Sequence, residues 1–287
     1  MRHIITLSTI PPRFAEIGLA LTSLLRQKSR PEAVELYIPQ SYRRFPQWGG
    51  GLPAVPDGVR IIRTEADFGP ATKILPAARA YRGQDVELLF CDDDHVYLPD
   101  WAQRILAVRK EHPKAAVCAA MTTVERMGVA WRASGPLPRA VIAPEPAHQL
   151  GFQCRMLARA FKPRTALSRR LFPFHNLVRR SGYTDILEGY AGAALRPEFL
   201  DACAYDIPPV IWAVDDVWVS GHLTRNGIAI WADKRLNRNQ LVTAVGSTTP
   251  LWRAVIEGAG RDQANRACVD YMRQTYGIWG GEAVQST

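Results

Sequence analysis

Three consecutive carboxylates, Asp92, Asp93 and Asp94, are the densest group of chemically useful residues in this sequence. Adjacent carboxylates repel one another, so stability alone does not favour them. They follow the mostly apolar run 86–91, which predicts a buried central strand, and ligands bind at the carboxyl edge of open α/β sheets. Oxygen ligands there suit Mg²⁺ or Mn²⁺ bridging phosphate groups. The alternative is a polar turn in which the carboxylates cap backbone amides.

A second acidic pair, Asp215 and Asp216, opens a helix predicted over 215–226. A carboxylate within hydrogen-bond reach of a hydroxyl group can act as its general base. Asp216 is therefore a candidate base, and Asp215 is a candidate for orienting that base or the hydroxyl. Because acidic residues also favour helix N-termini, simple capping is the alternative.

The elements that must position these carboxylates alternate between strand and helix in the first half of the chain. The sequence predicts strands at 4–7, 34–38, 59–63, 86–91 and 115–121, and helices at 14–27, 69–81 and 100–112. The second half is less regular, with strands near 191–195 and 228–231, the helix at 215–226 and one or two helices within 254–276. This order predicts one α/β domain with a mostly parallel sheet flanked by helices.

Composition excludes several classes of protein. The chain has 287 residues, of which 47% are hydrophobic and 22% charged, values typical of a folded globular protein. The sequence contains no apolar run as long as the ~18 residues of a membrane span. The apolar stretch at its start is too short for a signal peptide. The five cysteines lack paired spacing, which favours reduced thiols in the cytoplasm.

The net charge is +9, and part of the excess lies in residues 155–180, which hold eight basic residues and no acidic one. Such a block suits an anionic partner such as a nucleic acid, a membrane surface or a phosphorylated substrate, or it is a solvated face. The block lacks the glycine and aromatic spacing of an RNA-recognition motif and any zinc-ligand spacing, so we expect no nucleic acid partner.

The apolar strand followed by Asp92-Asp93-Asp94 resembles the DxD motif of GT-A fold glycosyltransferases, most closely the family 2 and fringe-like groups. The resemblance implies a GT-A fold with a central, mostly parallel mixed sheet. It further implies that Asp92 and Asp93 approach a nucleotide sugar, and that Asp94 and Asp92 bind Mn²⁺ or Mg²⁺ on the donor diphosphate.

Four other segments, 7–13, 67–73, 188–195 and 214–221, occur in the order found in these enzymes. By resemblance, the first two supply the donor-binding residues Thr9, Arg13, Asp67 and Lys73. The third and fourth supply the acceptor-binding residues Gly189, Tyr190, Gly192 and Trp218, together with Asp215 and Asp216. Two alternatives stay open: the glycines mark a bend, and Trp218 belongs to the core.

One feature departs from the resemblance. Many metal-dependent members supply a histidine ligand well downstream of the catalytic acid, but no histidine follows His222 here, and His222 is only six residues after Asp216. His222, Asn237, Asn239 or water would have to complete the metal shell. His95 adjoins the acidic triplet and is expected to point away from it.

The resemblance implies a glycosyltransferase that moves a sugar from a nucleoside diphosphate sugar, UDP by default, to a saccharide or lipid-linked saccharide. The reaction is expected to be inverting and metal-assisted. We expect a donor half at 1–121, an acceptor and catalytic half at 122–240 and a helical C-terminal extension at 241–287. A cytoplasmic protein in peripheral contact with the anionic inner face of the plasma membrane is expected.

Two other enzyme classes share some of these features. A haloacid dehalogenase-like phosphatase would use Asp92 as nucleophile and Asp94 as acid/base, but its motif closes the first core strand, whereas three predicted strands precede Asp92. A nucleotidyltransferase would open with a glycine-rich loop, and residues 8–13 contain no glycine.

Overall fold

The computed structural model describes residues 1–131, 133, 135–143, 177–237, 240–242 and 261–280. The strands are β1 His3–Ser8, β2 Ala33–Pro39, β3 Val59–Thr64, β4 Glu87–Phe90, β5 His95–Tyr97, β6 Ala115–Thr122, β7 Val141–Ile142, β8 Val178–Arg180, β9 Gly182–Thr184, β10 Ile186–Leu195, β11 Ala229–Ala232 and β12 Gln240–Val242. The α-helices are α1 Gly18–Leu25, α2 Leu75–Ala80, α3 Trp101–Glu111, α4 Asp215–Arg225 and α5 Arg261–Tyr276.

Eight of the described strands form one sheet in the order β3-β2-β1-β4-β10-β6-β11-β9. The pairs β2–β3, β1–β2, β1–β4 and β6–β11 are parallel. In contrast, β10 runs antiparallel between β4 and β6, and β9 is antiparallel to β11. The predicted α/β fold with a mostly parallel mixed sheet is confirmed. Because β1 and β4 are parallel neighbours, the residues that follow Ser8 and Phe90 emerge at the same edge.

The centre of the sheet is buried on both faces, which explains why β4 is apolar apart from Glu87, whose carboxylate is paired with the buried Arg109. Leu88 and Phe90 point into the core layer that includes α2, and Leu89 points into the layer that includes α1 and α3. A third cluster joins α4 to α5, where Trp218 and Met272 are fully buried. The predicted central position of β4 is confirmed.

Several elements differ from the sequence prediction in length or type. The helix predicted over 69–81 is divided into a 3-10 helix, Gly69–Lys73, and α2, with Pro76 in the first turn of α2. The strand predicted at 191–195 is the end of the longer β10. Asp100 precedes α3 but makes no capping hydrogen bond, and its carboxylate instead accepts one from Arg104.

The four cysteines within the described residues are free thiols, as expected. None of the helices in the described ranges has the length and apolar character needed to cross a membrane. The basic block up to Arg170, together with Cys154 and Asn239, lies outside the described residues. The division into halves and an extension stays a prediction, although α5 does pack against α4.

Strand β10 contains an irregularity between Glu188 and Ala193, and Gly192 lies within it with a φ of +101°. A Cβ atom on Gly192 would stand 2.4 Å from the Trp101 indole nitrogen, which itself donates a hydrogen bond to the Ala191 carbonyl. The bulge therefore depends on a residue that tolerates both this φ and this close contact.

We expect Gly192→Ala to lower the free energy of unfolding by about 3 kcal/mol, since the added methyl group strains the backbone and displaces Trp101. Gly227→Ala is the matched control, because Gly227 has a φ of +70° with open space around it. It should cost about 1 kcal/mol from φ strain alone. Denaturant unfolding measures both, and equal losses would contradict the steric explanation.

Candidate functional site

A cavity of about 290 Å³ opens at the edge where β1 and β4 end. It brings together most of the residues that the sequence singled out. The predicted residues lining it are Thr9, Arg13, Asp67, Lys73, Asp92, Asp93, Asp94, Tyr190, Asp215 and Asp216.

Asp93 ties the acidic triplet to the segment after β1. Its carboxylate accepts hydrogen bonds from the Thr9 hydroxyl and from the Arg13 guanidinium, each at 2.5 Å. Burial raises the pKa of Asp93 to about 6 although Arg13 opposes the shift. Asp93 is thus a buried link whose oxygens are already engaged by the protein.

Asp94 lies beside an imidazole and a guanidinium. His95 Nδ1 lies 2.6 Å from one carboxylate oxygen of Asp94, and Arg13 lies 3.5 Å from the other. Burial opposes the charge on Asp94, but the hydrogen bond and charge of His95, with Arg13, lower its pKa to about 2. Burial likewise opposes protonation of His95, but Asp94 raises the pKa of the imidazole. The expectation that His95 points away from the triplet is wrong.

Lys73 connects the two acidic groups of the cavity. Its ammonium lies 2.6 Å from Asp92 Oδ1 and 2.8 Å from Asp215 Oδ2, and its side chain is only 6% exposed. Burial disfavours this charge, but the carboxylates of Asp215, Asp92 and Asp216 raise the pKa of Lys73 well above its usual range. The end of β4 and the start of α4 are therefore joined through one buried cation.

Strand β10 supplies the wall above Lys73. The Gly189 amide donates a hydrogen bond to Asp216 Oδ1 at 2.9 Å, and a Cβ on Gly189 would stand 2.8 Å from the Lys73 ammonium. Tyr190 lines the cavity beside it, and its carbonyl accepts a hydrogen bond from the Tyr97 hydroxyl, which also bonds the backbone of Asp92. Gly189 thus allows β10 to approach both acidic groups.

Asp67 organises the opposite wall. Its two carboxylate oxygens accept hydrogen bonds from the amides of Arg43 and Gly69, and its carbonyl accepts one from the Trp212 indole. Burial raises the pKa of Asp67 despite the hydrogen bonds from those amides.

Sequence reasoning missed several residues of the cavity, namely Tyr42, Arg44, His95 and Trp212. Tyr42 and Arg44 lie in the long loop after β2, where no spacing distinguishes them. Trp212, only three residues before Asp215, could have been noticed as an aromatic residue next to the acidic pair.

Four predicted site residues do not line the cavity, and only Gly189 among them contacts its carboxylates, through Asp216. Gly192 is buried against Trp101, as described above, and does not line the cavity. Trp218 is fully buried, packs against Tyr271 of α5 and donates its indole hydrogen bond to Ala204, so the core alternative is correct. The predicted acceptor contacts of Gly192 and Trp218 are therefore wrong, because packing within the domain occupies both positions.

The prediction of His222 as a metal ligand is also wrong. Its imidazole is fully buried between Trp218 and Tyr276, and neither ring nitrogen has a hydrogen-bond partner in the described structure. The nearest charged groups are Asp201, 4.0 Å from Nδ1, and Arg225. Asn237 is engaged as well, because its amide bonds the backbone of Val178.

His222 gives the fold a dependence on pH, because burial lowers its pKa to about 4. Between pH 6.5 and 4 the unfolded chain takes up a proton that the folded chain does not, so stability falls as the pH falls. The loss from this group approaches roughly 3 kcal/mol at pH 4. Denaturant unfolding at pH 7 and pH 5 should show a smaller difference for His222→Leu than for the wild type, whereas equal differences would contradict this assignment.

The cavity fits a divalent cation on the basis of charge. Among the described residues, six carboxylates line it (Asp67, Asp92, Asp93, Asp94, Asp215 and Asp216) against three residues with permanent positive charge (Arg13, Arg44 and Lys73). Asp92 and Asp94 are partly exposed, with side chains 34% and 29% accessible. No group of three or more potential ligands is arranged around one point in the described ranges. The protein would thus supply one or two carboxylates, the usual arrangement when substrate phosphates and water complete a Mg²⁺ shell.

The sequence profile of glycosyl transferase family 2 matches residues 14–174 of this chain. The match covers more than half of the chain and begins just before α1, so the chain belongs to this family. The predicted membership of a family 2 glycosyltransferase group is confirmed, and the phosphatase and nucleotidyltransferase alternatives are not supported.

Solved structures of Staphylococcus aureus TarS are similar to this chain. TarS residues 1–349 share 15% sequence identity with it at a TM-score of 0.44, over 85% of this chain and 60% of that one. The same fragment in complex with UDP-GlcNAc matches at 15% identity and a TM-score of 0.40, over 82% of this chain and 56% of that one. The chain thus spans less than two thirds of these proteins. No curated protein sequence matches it.

Proposed function

We propose that this chain transfers a sugar from a nucleoside diphosphate sugar, UDP by default, to a hydroxyl group of a saccharide or lipid-linked saccharide. The observation that supports this most strongly is the joining of two acidic groups in one cavity by Lys73. One group follows a central strand, where α/β sheets bind ligands, and the other opens a helix. This arrangement provides separate carboxylates for the donor and for the acceptor.

The donor diphosphate is anionic, and the cavity has more carboxylates than permanent cations. Electrostatics therefore favours entry of the diphosphate together with Mn²⁺ or Mg²⁺ held by Asp94 and Asp92. A bound cation would neutralise the negative charge that develops on the leaving diphosphate. Arg13, fixed by Asp93, and Arg44 provide further positive charge along the same wall.

Asp216 is the proposed general base. The acceptor oxygen forms a bond to the anomeric carbon while the bond from that carbon to the diphosphate breaks, and the hydroxyl proton passes to Asp216. Attack from the face opposite the leaving group inverts the configuration. The Gly189 amide orients the Asp216 carboxylate, and Asp215 is held by Lys73, so both carboxylates are positioned before substrate arrives.

The metal proposal predicts that Asp94→Ala lowers Mn²⁺-dependent UDP affinity at least tenfold, since the carboxylate would carry more than one charge-assisted contact. Isothermal titration calorimetry with UDP, with and without Mn²⁺, measures the effect. Asp57→Ala, an exposed substitution in the loop before β3, is the control. A thermal-shift panel of nucleoside diphosphates on the wild type identifies the base. Unchanged Mn²⁺-dependent affinity in Asp94→Ala would refute the metal role.

The base proposal predicts that Asp216→Asn keeps UDP affinity but lowers the transfer rate by about 10²–10⁴-fold. Asparagine retains an oxygen that can accept the Gly189 hydrogen bond, so the change removes the proton acceptor rather than the local structure. Release of UDP from UDP-sugars reports turnover, with the exposed Asp262→Asn as control. Near wild-type turnover would require another residue to take the proton.

The proposed lipid-linked acceptor would place the protein at an anionic membrane surface. In the described part of the basic block, Arg179 and Arg180 on β8 are exposed. Each such residue near an anionic surface contributes about 1 kcal/mol. We expect the protein to float with phosphatidylglycerol-containing liposomes at low salt, and less so with both arginines changed to serine. If the protein floats with none of the anionic liposomes, a soluble acceptor is favoured.

A further inference from the structure

Trp212 connects two parts of the cavity that are far apart in the sequence. Its indole nitrogen donates a hydrogen bond to the Asp67 carbonyl over 2.8 Å, and the residue is only 7% exposed. Trp212 lies three residues before α4, whereas Asp67 begins the segment 67–73 that lines the donor side. The hydrogen bond thus joins the donor segment to the approach to the catalytic helix.

The same two segments are joined again at their other ends. Lys73, the last residue of the donor segment, contacts Asp215, the first residue of α4, at 2.8 Å. The segment 67–73 and the residues 212–216 are therefore held side by side by one contact at each end. The distance between donor segment and helix N-terminus is fixed by these two contacts together.

The packing around Trp212 is specific to this junction. A Cβ on Gly69, which has a φ of +59°, would stand 2.7 Å from the Trp212 carbonyl and 2.9 Å from its ring. On the other side, the Arg43 guanidinium lies 5.6 Å from the ring centroid, and the Arg43 amide bonds the Asp67 carboxylate. The donor segment, the loop after β2 and the indole thus form one packed unit.

We propose that Trp212 is a positioning residue that sets the alignment of the Asp216 carboxylate with a donor held against the segment 67–73. This inference rests on the proposed function for the role of Asp216. Trp212 acts through the polypeptide that leads into α4, because its hydrogen bond goes to the donor segment and not to Asp216. A misplacement of reacting groups by about 1 Å can cost 10²-fold in rate, so one lost hydrogen bond at this junction has a large effect on turnover.

Hydrogen exchange tests, without any substrate, whether the Trp212 hydrogen bond holds the two segments together. Trp212→Phe removes the indole donor and keeps an aromatic ring. Trp231→Phe is the matched control, because the Trp231 indole on β11 likewise donates a hydrogen bond, to Asp233, and neither residue lines the cavity. Amide hydrogens in peptides covering 67–73 and 212–220 should exchange about fivefold faster in Trp212→Phe than in the wild type. In the control their exchange should equal that of the wild type. Equal exchange in both variants would overturn the proposal.

Kinetic measurements test whether this junction aligns the Asp216 carboxylate for transfer. Trp212→Phe should lower the kcat of UDP release from UDP-sugars roughly 10- to 100-fold, while the melting temperature stays near that of Trp231→Phe and calorimetric UDP affinity falls by no more than about fivefold, which matches the loosening of the donor segment. In the Asp216→Asn background the same change should have little further effect, because it acts through that carboxylate. A fall in UDP affinity as large as the fall in kcat, or additive rate losses, would overturn the proposal. A different outcome is that the wild type releases UDP from none of the UDP-sugars while the exchange difference is still observed. That result would refute the proposed function but would support the contact between the donor segment and residues 212–216.

Discussion

The ammonium of Lys73 is the group on which the site depends. Removing this charge from water is costly, and only close carboxylates compensate for it. Asp92 and Asp215 provide them at 2.6 and 2.8 Å, and this requirement brings the end of β4 to the start of α4. It also favours glycine at position 189, because a side chain there would crowd the ammonium. Strand β10 can then pass directly over the cation and offer its amide to Asp216.

The acidic triplet divides its work because its members have different surroundings. Asp93 is buried and serves Thr9 and Arg13, whereas Asp92 and Asp94 remain partly open to the cavity. The repulsion between neighbouring carboxylates is offset by a separate partner for each: the Lys73 ammonium for Asp92, the Arg13 guanidinium for Asp93 and the His95 imidazole for Asp94. A run of like charges is thus stable here because each charge points to a different part of the fold.

What the sequence could predict was local. The apolar run before Asp92 and the acidic residues that open α4 are each patterns within one element. The structure has both elements where the sequence predicted them. The error at His95 is one of side-chain direction, because its imidazole turns toward the adjacent Asp94. The other errors concern contacts between distant segments. Trp218 and His222 face α5, and Gly192 fits Trp101, none of which is encoded in spacing along one element. Trp212 was missed for the same reason, because its partner Asp67 is 145 residues away.

Strand β10 has a further consequence, for the order in which the molecule folds. It separates β4 from β6 and pairs with both, yet Ala193 follows its partner Phe90 by about a hundred residues. During synthesis, β4 and β6 must therefore wait for residues 186–195 before their open edges are covered. Pairing over such a distance slows folding, and exposed apolar edges invite association between chains. We therefore expect a chain truncated before residue 186 to aggregate rather than to fold as an independent donor half.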